Sequence, residues 1–447
     1  MDRRTPLLLA AFPALTLGSV TLPKARADAL AGQTGNPAIS QAPPVVPAAQ
    51  RLTLAQAVQI CANASPLNQA SRYTVQAAQA NYCGQKQPLN PIATFAAINN
   101  SVNPLDINAL KNPSNYSFYQ TIETSGRVGI RARLARAQLN GAMADAATTA
   151  LNVREAVTAA YVNLQVADQA LADEQDAYKT SVQIRDLAQQ QFKAGAAPET
   201  NAIRAQVALT QEEANLFTAI SNVETARAAL NIQLGRNAAL PVDASEPLTF
   251  HPIHPKLEDL QAQALRSRPE LVSARFNRSM LRAAVDLQRA QYYPDLTIGT
   301  DARFDQAFMG FTLPLFDYGS IRSSVRQAQK NLKTEEAQTA ALRQSIELQV
   351  AQAYELLMAA EQTVEAFQSG TLPQSELLLG RVEKGYKLGF STILDIIDAQ
   401  NNLRAVRIAY YGALGSYRTA LSQVEGAVGA AVSALDSAPL RLAEPRP

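Results

Sequence analysis

The sequence predicts a mostly α-helical chain, duplicated end to end, that carries four membrane-length β-strands. Three observations predict it. Residues 191 to 206 (QFKAGAAPETNAIRAQ) match residues 385 to 400 (GYKLGFSTILDIIDAQ) at a constant offset of 194, which pairs Lys193 with Lys387, Gly195 with Gly389, and Ala205 and Gln206 with Ala399 and Gln400. Long stretches ending at each of those glycines carry apolar residues at heptad spacing. Ahead of each heptad stretch lie two ten-residue segments whose period moves toward two.

Taken in order, the chain begins like an export signal. Arg3 and Arg4 precede an apolar run from Pro6 to Leu22, and Ala25, Arg26 and Ala27 form a small-x-small site, so cleavage is expected after Ala27. Loss of four basic residues and one acidic one takes the formal charge from +2 to about −1. A chain so balanced carries no electrostatic footprint for nucleic acid. No cysteine stands at the cleavage site, so no lipid anchor is expected there. After the signal, no apolar run reaches the roughly 20 residues that a membrane-spanning helix needs. If the protein sits in a membrane, it does so with strands.

The composition is 47% hydrophobic but only 6% aromatic, with no tryptophan. Alanine dominates the apolar fraction, which favours long helices in close approach. The chain divides into the signal peptide (1–27), a mature N-terminus expected to be flexible (28–50), a first repeat (51–236), a linker (237–256), a second repeat (257–430) and a C-terminal tail (431–447). A helical pattern from Leu52 breaks near Ser65 and Pro66 and resumes to about Tyr82. Its mate begins at Leu257 and breaks at Arg268 and Pro269. Cys61 and Cys83 both fall in these helical segments. On one straight helix their separation is about 33 Å, so a pair of buried free thiols is expected rather than a bond.

Strands are expected over 91–100 and 115–124 in the first repeat, and over 294–303 and 308–317 in the second. Each is near the 9 to 11 residues that a tilted strand needs to cross a bilayer. The first seam reads Val153, Val157, Ala160, Leu164, Ala167 and Leu171; the second reads Ile346, Val350, Ala353, Leu357, Ala360 and Val364. Spacings of 4 and 3 are those of a coiled coil. Only Pro373 interrupts the two stretches, and each helix is expected to run roughly 100 Å. Return helices follow the glycines. Their stripes are Leu209, Leu216, Ile220, Val223, Leu230 and Leu234, and Leu403, Tyr410, Leu414, Tyr417, Val424 and Val428, with Glu213, Arg227, Arg407 and Leu421 between. The linker holds both histidines, His251 and His254, and two ligands in an extended segment do not make a metal site.

Four strands cannot close a barrel, and lipid tolerates no open sheet edge, so several chains must contribute. Three copies supply twelve strands and leave an aqueous lumen, whereas two supply eight, which side chains fill. The same three copies bring twelve long helices beneath the barrel. The expected architecture is a tube.

AQYYPDL (290–296), PLFDYG (314–319) and the two glycine-turn segments make the chain resemble the TolC-type outer-membrane efflux channel family, from about Leu52 to Gly429. The resemblance implies a homotrimer with a twelve-stranded barrel in outer-membrane lipid and a twelve-helix periplasmic barrel. It also implies an exit duct that serves a periplasmic adaptor and an inner-membrane efflux pump or ABC transporter, without a cofactor and without enzymatic activity. Asp395 and Asp398 match the acidic constriction of relatives, and three apart on a helix they share a face. Six carboxylates in a trimer would attract cations and raise one another's pKa. Acids in a helix's first turn also simply favour its dipole. Tyr386 matches a gate tyrosine, or else is a seam aromatic. Ser391 and Asn201 stand where the family's gate carries an arginine and an aspartate, which leaves Arg204 as a substitute partner for Asp398. Gly195 and Gly389 mark the turns where an adaptor would dock. The rival readings are a periplasmic coiled-coil adaptor, or a structural protein without its own pore. An enzyme is disfavoured, because no nucleophile motif, phosphate loop or metal-ligand cluster is present.

Overall fold

The computed structural model describes residues 50–96, 115–300, 306–312 and 316–430. The signal peptide, the C-terminal tail from 431, and the strand expectations at 97–100, 301–303 and 313–315 lie outside those residues. The first repeat comprises β1 (Gln50–Leu52), α1 (Leu54–Ala64), α2 (Pro66–Gln85), β2 (Ile92–Ala96), β3 (Asn115–Ile122), α3 (Arg127–Lys193) and α4 (Glu199–Gln233). The linker contributes β4 (Val242–Ala244). The second repeat follows with α5 (Leu257–Ser267), α6 (Pro269–Arg289), β5 (Asp295–Thr300), β6 (Ala307–Thr312), α7 (Ser320–Ala366), α8 (Leu372–Lys387) and α9 (Ile393–Val428).

Local chemistry sets these boundaries. Thr53 caps α1 in a reciprocal box with Gln56. Pro66 and Pro269 each open a helix at its first turn, where a missing N–H costs nothing. Gly126 and Gly319 precede the long helices in the left-handed conformation. α3 runs 67 residues without interruption. Its counterpart passes through a single π turn, Phe367–Thr371, where the Leu372 N–H reaches back five residues to the Phe367 carbonyl. Pro373 explains the widening, since a proline ring clashes with the carbonyl four residues back and contributes no N–H.

The strands form one antiparallel sheet in the order β2-β3-β5-β6, so the repeats meet between β3 and β5, with Phe118 opposite Thr300 and Ile122 opposite Leu296. The described strands are shorter than expected. Thr124 belongs to the turn into α3, and Asp317 belongs to the start of α7, where its carboxylate accepts from the N–H groups of Gly319 and Ile321. Arg127 locks the junction: it pairs with Asp295 at 2.7 Å and donates to the Ala290 and Tyr293 carbonyls. A second, parallel sheet joins β1 to β4. Gln50 therefore leaves the segment expected to be flexible, and the linker gains an ordered strand, because Leu52 and Val242 bury together against α3.

Nine of the twelve expected seam positions are buried, and Ala167, Leu171 and Ala360 are half-buried. Val157, Leu164, Ile346, Val350, Leu357 and Val364 have no exposed surface. α4 differs. Ile220 is 42% exposed and Glu213 is exposed, whereas Glu212 and Ala219 are buried. The chain uses the alternative phase of the same heptad, since Glu212 has an arginine partner and Ala219 permits close approach. Cys61 is buried and free, but Cys83 is exposed and free, because α2 turns that face away from its neighbours. His254 contacts Glu361 at 3.0 Å, and among the described residues no group of side chains has metal-binding geometry.

Gly299 faces Tyr119 and Phe308 on its two neighbouring strands, and a Cβ there would lie 2.5 Å from the Phe118 carbonyl oxygen. Leu357 tests the seam instead. Leu357→Ala is expected to destabilise the chain by about 2–5 kcal/mol, as buried leucine truncations do, read as a lower denaturation midpoint at unchanged slope.

Candidate pore entrance

Two helical hairpins, α3 with α4 and α8 with α9, end in glycine turns. In the first, the Ala196 N–H reaches back to the Gln191 carbonyl and Gly195 sits at φ 72°. In the second, the Phe390 N–H reaches back to Gly385 and Gly389 sits at φ 82°. Both are helix stops in which a left-handed residue satisfies the last carbonyls, which is why glycine occupies each.

The second turn starts α9 with a full capping box. The Asp395 carboxylate accepts from the Thr392 N–H at 2.7 Å and from its hydroxyl at 2.8 Å, while Thr392 accepts from the Asp395 N–H. These bonds favour the ionised form and hold the Asp395 carboxyl below its ordinary value. Asp395 and Asp398 are both exposed, on the side of α9 away from buried Ile393, Ile396 and Ala399. The carboxylates thus project off the hairpin and not into it.

Tyr386 faces the other hairpin. It packs with Ile184, Ala188, Ala205, Ile393 and Ile397, and its hydroxyl donates to Gln191 Oε1 at 2.6 Å. Burial pushes its phenol pKa up, so the donor proton is kept. Gln191 was not among the expected residues; its repeat mate is Gly385, so the duplication offered no signal for it. The other expected gate residues are not gathered. Ser391 packs against Gly385 within its own turn. Asn201 donates its backbone N–H to the Pro198 carbonyl. Arg204 is exposed, and among the described residues no ion pair joins it to Asp398, because α4 presents it outward beside buried Ala205.

The outer membrane efflux protein family profile matches residues 260–430. The chain is 26% identical over 324 residues to the cobalt-zinc-cadmium resistance protein CzcC of Cupriavidus metallidurans, covering 69% of this chain and 75% of that one. In structure it resembles a membrane protein from Pseudomonas aeruginosa, with a TM-score of 0.70, 20% identity, and coverage of 84% and 90%. It also resembles the CmeC outer membrane channel of Campylobacter jejuni, with a TM-score of 0.69, 16% identity, and coverage of 84% and 85%. Over residues 260–430 the chain is similar to outer membrane efflux proteins, and its fold is that of the outer-membrane channels it resembles. The hairpin ends, where the two glycine turns lie, are the candidate functional site.

Tyr386→Phe removes one hydrogen bond, worth about 1 kcal/mol, and is expected to raise resting conductance severalfold in planar bilayers while leaving the melting midpoint nearly unchanged. Because the Asp395 pKa is depressed, its cap contribution is complete above the ordinary aspartate value of about 3.9 and is lost only as pH falls through the lower folded value. Cation preference measured by reversal potential is accordingly expected to persist at pH 4.5. A collapse between pH 5 and 6 contradicts the capped geometry.

Proposed function

We propose that three copies of the chain form an outer-membrane exit duct, with a twelve-stranded barrel above a twelve-helix periplasmic barrel. The observation that carries this reading is the sheet itself. Its strands β2 and β6 lie at open edges, which lipid does not tolerate, and its two faces differ in chemistry. Phe118, Ile122, Leu296, Ile298, Met309 and Phe311 share one face, which suits lipid, with Gln120 and Thr300 as its polar exceptions. Thr94, Ser117, Thr121, Asp295, Thr297 and Thr312 share the other with Ile92, Tyr119 and Phe308, a more polar wall that suits a water-filled lumen.

Beneath the membrane the duct narrows to the hairpin ends. Asp395 and Asp398 of three copies ring the opening and screen incoming solutes for positive charge. Tyr386 with Gln191 holds the ring closed. The grooves around Gly195 and Gly389 receive a periplasmic adaptor, which couples the duct to an inner-membrane pump. Resemblance to a cobalt-zinc-cadmium resistance protein makes divalent metal ions the first cargo to test, and a ring of carboxylates suits them.

Two measurements test this reading. The protein should migrate as a trimer in outer-membrane fractions and shift to monomer on boiling. In planar bilayers the unaltered protein should prefer cations, and Asp395→Asn with Asp398→Asn should bring the reversal potential close to zero. An unchanged potential in the double variant would falsify the ring.

A further inference from the structure

Above the entrance the apolar core is interrupted. In α3 the first seam ends at Leu171 and the cluster at the hairpin ends begins at Ile184. Between them the buried α3 residues are Glu174 and Ser181. α4 contributes buried Glu212 at the same level, and α8 contributes buried Ser375. Two arginines on α9, one turn apart, tie these elements together. Arg404 meets Glu174 of α3 at 3.1 Å and Glu212 of α4 at 3.8 Å. Arg407 meets Asp173 of α3 at 3.6 Å and Glu376 of α8 at 3.1 Å. Tyr411 stands beside Asp173, and burial together with that carboxylate pushes its phenol up to about 12. The π turn is the repeat mate of this layer, since at the 194-residue offset Phe367–Thr371 corresponds to residues 173–177 of α3.

Three features that weaken a straight, cooperative helix pair thus coincide: the apolar seam is missing, the helical hydrogen-bond ladder is widened, and a proline stands in the next turn. Interactions across the gap are ionic, and ionic contacts have discrete made and broken states. We propose that this polar layer is the joint of the entrance: the α8–α9 hairpin swings about Phe367–Thr371, and Arg404 and Arg407 are the positioning residues that clasp it to the first hairpin. The inference rests on the duct reading above and adds where the movement originates. Apolar seams above the layer stay packed while the hairpin ends move. The Tyr386 contact is then the far end of a lever, not its pivot.

Bilayer recordings test the clasp. Arg404→Gln with Arg407→Gln is expected to raise resting conductance by roughly tenfold, since losing a buried charged contact shifts a two-state equilibrium by at least that factor. Cation preference should survive, because Asp395 and Asp398 are untouched. The exchanged pair Glu174→Arg with Arg404→Glu should return conductance toward that of the unaltered protein, a rescue that a merely structural role does not produce. Conductance unchanged in the double glutamine variant, or no rescue by exchange, overturns the clasp. Hydrogen exchange on the unaltered trimer tests the joint without any substitution. Amides of Phe367–Thr371 are expected to exchange about tenfold faster than those of the flanking helices, as local opening requires, and uniform protection overturns the joint. Absence of any conductance in the unaltered protein counts against the duct reading, and the exchange experiment still decides the joint.

Discussion

The hydrogen-bonded ladder between β3 and β5 joins the first repeat to the second, and the placement of everything below the sheet depends on it. With Phe118 opposite Thr300 and Ile122 opposite Leu296, the two repeats leave the sheet side by side. Arg127, the first residue of α3, then grips Asp295 at the start of β5 and the carbonyls of Ala290 and Tyr293. A side chain from one repeat thereby satisfies orphan backbone groups at the end of a helix in the other. From that anchored junction each half extends for a similar length to a glycine turn. The duplication becomes function only because the sheet sets both halves at a common origin.

Length of this order is held by repetition and not by a thick core. Each seam position buries a small or medium apolar side chain, and the 4 and 3 spacing keeps successive contacts on one face. Alanine at Ala160, Ala353 and Ala413 lets backbones approach closely. Where leucine gives way to Glu174 and Glu212, the same geometry continues with charges that require partners, and Arg404 supplies them. A buried ion pair adds little net stability over an apolar contact, but losing one partner is costly. Such a layer therefore contributes position more than it contributes strength.

Much of this was legible in the sequence, for stated reasons. The seam from Ile346 to Val364 could be read because burial at heptad spacing leaves a periodic trace. The glycines at 195 and 389 could be read because a left-handed helix stop excludes most side chains. Other features left no such trace. Leu209, Leu216, Val223 and Leu230 are common to two phases of one heptad, and nothing local decides whether Ile220 or Ala219 turns inward. The exposure of Cys83 depends on which face of α2 meets its neighbours. Asp395 could be recognised as a first-turn acid, whereas its role as the reciprocal cap of Thr392 required the backbone geometry.

The sequence by itself determined the duplicated order of elements, the helix boundaries marked by proline and glycine, the buried seams, and a pair of acids one turn into the last helix. Periodicity, capping and backbone restriction act over a few residues, so a linear string records them. Only the tertiary structure decided that the repeats pair through β3 and β5, that Tyr386 bonds Gln191, that Arg204 stays apart from Asp398, and that Arg404 and Arg407 gather acids from three other helices. Those contacts join residues from about thirty to more than two hundred positions apart, and their geometry is set by how whole helices pack, which no local pattern encodes.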